Sequence, residues 1–190
     1  MLTQRLMGVF TFRREVFSEV ENDAAFTPTA WAIVAVVSFL NNLGGRASSD
    51  LGSWILGAVV GTVLSVIGFA LAAFIIDLIG RTVFSAKVTF DELIRTLGLA
   101  YVWNVVGFLG ILGVISSTLV CLISPALFVG FILGLIAWFL AVKEALDLEW
   151  VQTIVTVVIG WIVLLVFYFI TGAILGLLGL AGAAAAGALS

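Results

Sequence analysis

Few residues of this 190-residue chain could do chemistry in an apolar environment. Asp77 is the one ionisable residue clearly inside an apolar run, and Arg81 follows it by one helical turn. Asn104 is an amide in another apolar run. A carboxylate at such a place is a candidate proton or cation site, and a water-filled path to Asp77 or Asn104 would indicate transport. The preferred interpretation is structural: Asp77 and Arg81 pair near the membrane surface, and Asn104 hydrogen-bonds a neighbouring helix.

Histidine does not occur in the sequence, and Cys121 is its single cysteine. This composition excludes His-ligated haem and pigments, the usual zinc and copper sites, and a Ser-His-Asp triad. The serines lack the accompanying base that hydrolysis within a span would need. The sequence therefore predicts a non-enzymatic protein with no catalytic residue, metal site or cofactor.

The elements that position these residues must be membrane helices, because the composition cannot cover a water-facing surface. Apolar residues make up 63% of the chain and charged residues 10%, whereas soluble domains have about half and about a quarter. The mean hydropathy is +1.32. Eight scattered basic residues and a net charge of −3 predict no nucleic-acid partner. We predict an all-α polytopic bundle with the lipid bilayer as its solvent.

Three segments divide the chain: an amphipathic segment at 1–26, a transmembrane domain at 27–176, and a Gly- and Ala-rich tail at 177–190. About five transmembrane helices are predicted within the domain. They run from about Pro28 to Leu43, from Leu51 to Ile79, from a start within 90–98 to Ile115, from Val120 to Val142, and from Ile154 to Leu175. Thr89 and Glu92 have the spacing of a capping box, which predicts that the third helix begins just outside the membrane.

The amphipathic segment contains two apolar stripes at helical spacing, each beside charged residues. The stripes are Leu2, Leu6, Val9 and Phe10, followed by Val16, Phe17 and Val20. An interfacial helix lying in the headgroup layer is one prediction from this pattern. A tail helix packed on the bundle is the other.

Small residues predict where the spans approach closely, because backbone packing drives helix association in lipid. Two stripes fit this description. They are Gly57, Gly61, Ser65, Gly68 and Ala72 on the second span, and Gly130, Gly134, Ala137 and Ala141 on the fourth. Gly172 and Gly176 repeat the spacing on the fifth span. We predict that these residues form helix-packing faces.

The basic residues predict the orientation, since loops rich in Lys and Arg stay in the cytoplasm. Seven of them fall at one end of a five-span bundle, and Arg46 alone falls at the other. The seven are Arg5, Arg13, Arg14, Arg81, Lys87, Arg95 and Lys143. We therefore predict a protein of the cell (plasma or inner) membrane, with its N-terminus in the cytoplasm and its C-terminus outside.

Three stretches resemble the Yip family, membrane proteins first known as partners of Ypt/Rab GTPases in vesicle traffic. They are LMGVFTFRREVF at 6–17 with the acidic residues after it, GR at 80–81 with VTFDELIRTLGLAY at 88–101, and IAW at 136–138 with AVKEALDL at 141–148. Leu99 stands where an aromatic residue is expected, and the N-terminal signature of eukaryotic members is missing. Both departures favour a bacterial-type member over a Rab-binding one.

The resemblance implies a non-enzymatic scaffold or adaptor that organises membranes or recruits a partner. A small, cofactor-free accessory subunit of a larger membrane complex is the alternative. A transporter or channel is a third class. Beside the lipid bilayer, the expected partners are other membrane protein subunits or further copies of this chain.

Overall fold

Helices form almost all of the fold, which a computed structural model describes for residues 2–46 and 50–177. Two short helices come first, α1 (Leu2–Phe10) and α2 (Arg14–Glu21), and a 3₁₀ turn (Ala24–Phe26) leads into the membrane part. The long elements are α3 (Thr27–Gly45), α4 (Leu51–Phe84), α5 (Phe90–Ala100) continued by a 3₁₀ segment (Tyr101–Val114), α6 (Ser117–Leu146) and α7 (Trp150–Leu177). Five stretches of the described chain are long and apolar enough to cross a membrane. The predicted all-α bundle of five spans is confirmed.

The chain reverses direction at each span, which gives the bundle two distinct ends. Residues 2–26, which we call the cap, lie at one end, because α2 contacts both α5 and α6. Arg14 Nε lies 3.9 Å from Glu144 Oε1, near the last turn of α6. We call this the cap end, and the opposite end, where Arg46 follows α3, the far end. Three of the seven basic residues grouped by sequence lie in the cap, and three more lie in or beside the loops at the cap end. The seventh, Arg95, lies beneath the cap.

Several helices extend beyond their predicted limits at the cap end. α4 ends at Phe84, α6 ends at Leu146 and α7 begins at Trp150, each about one turn past the apolar run. Hydropathy marks only the apolar part of a helix, whereas these helices continue through polar residues to the level of the cap. The Gly- and Ala-rich tail beyond Leu177 lies outside the described residues.

α5 is the most enclosed helix of the bundle. Every residue from Leu93 to Trp103 is buried, since α2, α3, α4 and α6 all contact α5. The predicted capping box begins it: the Thr89 backbone N–H donates to Glu92 Oε2 at 2.7 Å, and the Glu92 backbone N–H donates to Thr89 Oγ1 at 3.3 Å. Both orphan donors at the helix start are thereby satisfied.

The third span changes from α to 3₁₀ winding at Tyr101, which the sequence pattern does not predict. In a 3₁₀ helix residues three apart are eclipsed, and long runs are uncommon. The segment packs closely on α3, where a Cβ added to Gly44 would overlap the Gly107 carbonyl group. A Cβ added to Gly110 would lie 2.7 Å from the Gly44 carbonyl oxygen. Glycines on both sides therefore allow backbone contact.

α6 begins three residues earlier than predicted, with the Ser116 side chain accepting from the Thr118 backbone N–H at 3.2 Å. Pro125 consequently lies inside the helix. Its ring nitrogen has no proton to donate to the carbonyl of the residue four before it, Cys121. Ser124 Oγ donates to that Cys121 oxygen at 2.9 Å. The hydroxyl replaces the missing hydrogen bond, as lipid surroundings require.

Candidate functional site

Asp77 and Arg81 form an ion pair at the cap end of α4. The Asp77 side chain is 1% exposed, the Arg81 side chain is 51% exposed, and Arg81 Nη2 donates to Asp77 Oδ2. Asp77 Oδ1 is buried without a hydrogen-bond partner among the described residues. The pair thus joins a carboxylate inside the bundle to a guanidinium that extends toward the surface.

Asn104 is not near this pair but belongs to a polar network in the far half of the bundle. Its backbone carbonyl accepts from Asn41 Nδ2 at 2.8 Å. Asn42 Nδ2 donates to Ser65 Oγ on α4 at 3.1 Å, and Arg46 Nε donates to Asn42 Oδ1 at 3.0 Å. Two side-chain amides of α3 therefore connect this helix to its neighbours. Asn41 binds the third span, and Asn42 binds α4.

The small residues predicted on α4 lie against two neighbouring helices. A Cβ added to Gly61 would overlap the Asn42 side chain of α3, and one added to Gly68 would lie 2.9 Å from the Phe167 ring of α7. Gly57 is also buried. This side of α4 therefore leaves room for side chains of both α3 and α7.

The small residues predicted on α6 lie on the side toward the third span. A Cβ added to Gly130 would lie 2.7 Å from Val106, and one added to Gly134 would lie 3.1 Å from Trp103. Ala137 and Ala141 are fully buried. Gly172 and Gly176 of α7 differ, because an added Cβ at either position would meet nothing within 4 Å.

Arg95 holds the cap on the bundle with a side chain that is 6% exposed. Its Nε donates to the carbonyl oxygens of Val20 and Glu21, each at 3.0 Å, and its Nη2 also donates to Glu21. Nη1 donates to Thr27 Oγ1 at 3.2 Å. Val20 and Glu21 end α2, where helix carbonyls lack internal donors and favour a cation. The buried charge is thus satisfied by the end of a cap helix.

From the sequence alone, Arg95 contributes to the predicted orientation and lies within the stretch 88–101 that resembles the Yip family. One signal for its role is present in the sequence, since Arg95 is the sole charge in the run from Leu93 to Trp103. Its partners have no such signal, because they are backbone carbonyl groups. The sequence can therefore predict that an arginine is buried at this position, but it cannot predict which main-chain oxygens the arginine binds.

Acidic side chains surround the same end of α2. Burial raises the pKa of Glu21 from 4.5 to about 7. The carboxylates of Asp147, Glu92 and Glu144 add to the rise, whereas the guanidinium of Arg95 opposes it. Glu21 therefore changes its charge near neutral pH, beside the contact that holds the cap.

The two cap helices differ in the residues they leave exposed. The apolar residues that α2 buries are Val16, Phe17 and Val20. The apolar residues that α1 leaves exposed are Leu2, Met7 and Phe10. Arg5 of α1 joins the two helices, because its Nε lies 3.8 Å from Glu19 Oε2 on α2 and its Nη1 lies 2.7 Å from Asp23 Oδ2 just after α2. Of the stripe predicted on α1, Val9 is fully buried and Leu6 packs partly against the core, whereas Leu2 and Phe10 are exposed. α2 thus has the packing predicted for a tail helix, and α1 has this packing in part.

The turn between α1 and α2 reaches the third span. The Phe12 ring stacks on the Trp103 ring with centroids 5.6 Å apart, and Phe10 meets the same indole edge-on at 4.8 Å. Phe12 has a φ of 56°, a left-handed conformation that disfavours bulky residues and persists where surrounding contacts fix it. Trp103 is therefore a direct contact between the cap and the membrane bundle.

A cavity of about 510 Å³ lies mainly in the far half of the bundle and is lined by residues of all five spans. Its polar and indole-bearing lining residues are Asn41, Arg46, Ser65, Tyr101, Trp103, Asn104, Trp138, Trp161, Tyr168 and Thr171. Toward the cap end the Phe69 ring contacts Tyr101 at 5.3 Å and Trp138 at 5.9 Å. The volume is typical of small-molecule sites. Asn104 therefore borders a space large enough for a ligand, whereas Asp77 is not among the lining residues.

The chemistry available at this cavity is that of binding. Its lining provides hydrogen-bond donors and acceptors, aromatic faces and one guanidinium, from Arg46. Across residues 2–46 and 50–177, no cluster of three or more Cys, Asp or Glu side chains could hold a metal ion. The lining is thus mainly apolar and aromatic, with polar side chains at a few positions.

Comparison with known proteins identifies the family. A family model described as the Yip1 domain matches residues 7–174, from α1 to the last turns of α7. Neither the curated proteins nor the solved structures yield a match. The family match covers residues 7–26 of the cap, the Arg95 anchor and the five spans, so the predicted resemblance to the family is confirmed. The chain belongs to the Yip family of integral membrane proteins.

Proposed function

We propose that this protein is a non-enzymatic membrane adaptor that recruits a partner protein through its cap. The observation that carries the proposal is the anchoring of α2 by Arg95, which fixes the cap on the bundle. A surface held in one position loses little conformational entropy when a partner binds to it, so affinity is gained by preorganisation.

The surface proposed for the partner is the outward face of α2. A shallow groove of about 440 Å³ lies there, and its lining residues are Arg14, Glu15, Ser18, Glu19, Asn22 and Glu144. The mixed charges suit a partner of complementary charge pattern, which gives specificity more than raw affinity. Arg14 also lies over the Trp150 ring at 5.6 Å, which ties the groove to the start of α7.

The orientation that accompanies this proposal has the cap in the cytoplasm. Most basic residues lie at the cap end, and loops rich in Lys and Arg remain cytoplasmic. The partner would then be a cytoplasmic protein or the cytoplasmic part of another membrane subunit. A reporter active only outside the membrane should be silent at Lys87 and active after Ser190; the reverse pattern would contradict this orientation.

Site-specific photo-crosslinking tests the adaptor proposal. A photoreactive residue at Ser18, on the outward face of α2, should give one defined protein adduct in native membranes. The matched control is Val36 of α3, which is 58% exposed on the membrane-spanning part. The Ser18 adduct should disappear in Arg95→Met, which releases the cap. Identical adducts from Ser18 and Val36, or none from Ser18, would contradict recruitment through the cap.

Native purification separates an adaptor from an accessory subunit. Mass spectrometry of the untagged protein should find free chain and partner-bound chain together if recruitment is reversible. A complex of fixed stoichiometry with no free chain would instead support the accessory-subunit function.

Transport is a second candidate function, favoured by the cavity that borders Asn104. Its test is a flux assay in liposomes with Asn104→Ala and Asp77→Asn. The adaptor proposal expects no proton or cation flux that depends on either residue. A flux abolished by one of these substitutions would overturn the non-transporting assignment.

A further inference from the structure

Three tryptophans that line the cavity have indole N–H groups without a hydrogen-bond acceptor. The indole N–H groups of Trp103, Trp138 and Trp161 are buried, and none has an acceptor among the described residues. Trp103 is 9% exposed, Trp138 is 5% exposed, and all three residues line the cavity. A buried indole N–H normally finds a partner, because leaving it unpaired costs free energy. Because these nitrogen atoms have almost no accessible surface, each indole must turn toward the cavity before a ligand there can provide its acceptor.

The single charge on the cavity wall has the sign that attracts an anion. Arg46 is half-buried, and its Nε donates to Asn42. No Asp or Glu lines the cavity, and no carboxylate of the described chain lies within 4.0 Å of this guanidinium. Arginine binds phosphate and carboxylate groups through charge-assisted hydrogen bonds. The ligand therefore needs an anionic group near Arg46.

The rest of the wall determines what else the ligand contains. Phe69, Leu127, Phe131 and Leu165 provide apolar surface in a space that opens partly to the outside. A free inorganic anion would leave this surface uncovered. Because the cavity lies within the membrane-spanning part, an amphiphile from the bilayer can enter without crossing water. The indoles and Arg46 lie at different places along the wall, which calls for acceptors at more than one position in the ligand.

We propose that the cavity binds one acidic phospholipid. Its phosphate accepts hydrogen bonds from Arg46, its ester carbonyl oxygens accept from cavity indoles, and one acyl chain lies along the apolar wall. A fatty acid also has an anionic group and a chain, but both of its oxygens are at one end. A zwitterionic phospholipid has the ester oxygens but a cationic headgroup that Arg46 repels. This site is independent of partner recruitment by the cap.

Native mass spectrometry of the full chain tests the proposal directly. The detergent-purified protein is mixed with phosphatidylglycerol or phosphatidylcholine of identical acyl chains, and retained lipid is counted. Phosphatidylglycerol should be retained about tenfold more strongly, in keeping with a charge-assisted contact. Arg46→Gln should remove the preference, and Arg46→Lys should keep most of it. Lys87→Gln, an exposed change at the cap end, is the matched control and should change nothing.

Tryptophan-to-phenylalanine substitutions test the indole contacts while keeping an aromatic ring in place. Trp161→Phe and Trp138→Phe should each weaken phosphatidylglycerol retention roughly threefold to tenfold, as loss of one hydrogen bond predicts. If the melting curve of Arg46→Gln shows that this variant does not fold, the two tryptophan variants still test whether the cavity binds the lipid. Equal retention of the two phospholipids would overturn the site. Unchanged retention in both Arg46→Gln and the indole variants would do the same. Oleate displacing phosphatidylglycerol at equal concentration would show that a simple carboxylate amphiphile is the ligand instead.

Discussion

A buried arginine at the cap end of the bundle and a half-buried arginine at the far end are paired very differently. Arg95 at the cap end donates to the carbonyl oxygens of Val20 and Glu21 and to a threonine hydroxyl. Arg46 at the far end donates to the Asn42 side chain, and this residue also lines the cavity. At the cap end the chain supplies the acceptors itself. At the far end the chain supplies one acceptor, from Asn42, and the proposed lipid would supply the others.

The difference separates a structural region from a binding region. A buried charge with all its partners fixes one arrangement of the surrounding helices, whereas donors without partners carry a free-energy cost that a ligand can remove. Trp103 belongs to both regions, because its ring stacks on Phe12 of the cap and also lines the cavity. The two regions therefore share a contact although their chemistry differs.

The largest effect is expected from removing the cap-end arginine. Arg95→Met keeps much of the stem volume but leaves the α2 carbonyls without their donor, and should cost about 3 kcal/mol. Thermal unfolding in detergent should show the loss, and hydrogen exchange of residues 2–21 should accelerate. Arg13→Gln, at a side chain 66% exposed, should change stability by less than about 0.5 kcal/mol. Equal effects of the two substitutions would show that Arg95 is not the anchor.

The ion pair on α4 should respond unequally to the loss of its two members. Arg81→Gln leaves the Asp77 carboxylate buried and unpaired, so it should lower the free energy of unfolding by roughly 2 kcal/mol or more. Asp77→Asn removes the buried charge itself and should cost no more than about 1 kcal/mol, because Arg81 is half exposed. Chemical denaturation of the two variants in one detergent compares them. A larger cost for Asp77→Asn would assign that carboxylate a role beyond the pair.

The far-end network should be sensitive to added volume at one glycine. A Cβ at Gly61 would overlap Asn42, which positions Arg46, so Gly61→Ala should cost about 1–3 kcal/mol. Gly172→Ala is the matched control, since its Cβ would meet nothing within 4 Å and should be neutral or slightly stabilising. Lipid retention measured on the same samples should fall in Gly61→Ala alone. If both variants keep their stability, α3 and α4 do not need this close approach.

Hydropathy and helix signals in the sequence predict the architecture because each span must satisfy its own backbone in lipid. Local sequence determines three of the predicted features, because each rests on contacts between residues at most four apart in the chain. These features are the helices of the five spans, the Thr89–Glu92 capping box and the Asp77–Arg81 pair. The 3₁₀ winding after Tyr101 and the cavity depend instead on how separate spans meet. No local pattern encodes such contacts.

The same distinction explains the site residues. The sequence shows that Gly130 and Gly134 are small residues on one face of a helix. It does not show that Val106 and Trp103 are the residues that pack against them. The sequence also gives the six tryptophans no separate roles. Three of them become notable only when the fold surrounds their indole N–H groups without providing an acceptor.

The smallest expected effect is a dependence of cap packing on pH, caused by Glu21. Its pKa is raised from 4.5 to about 7 in the folded protein, chiefly by burial. Between these values the folded state binds the proton that the unfolded state has lost. The resulting stabilisation is complete below pH 4.5 and is lost as the pH rises through about 7. Hydrogen exchange of α2 should therefore be slower at pH 6 than at pH 8, after correction for the intrinsic rate.

Glu21→Gln provides the control for that measurement. The neutral amide cannot ionise beside Asp147 and Glu92, so the corrected exchange of α2 should become insensitive to pH across this window. Glu15→Gln, on the exposed face of the same helix, should retain the wild-type profile. Loss of the pH dependence in Glu15→Gln, or its persistence in Glu21→Gln, would assign the titration to another group. Because Arg95 binds the Glu21 carbonyl oxygen and not its carboxylate, the cap should remain attached to the bundle throughout.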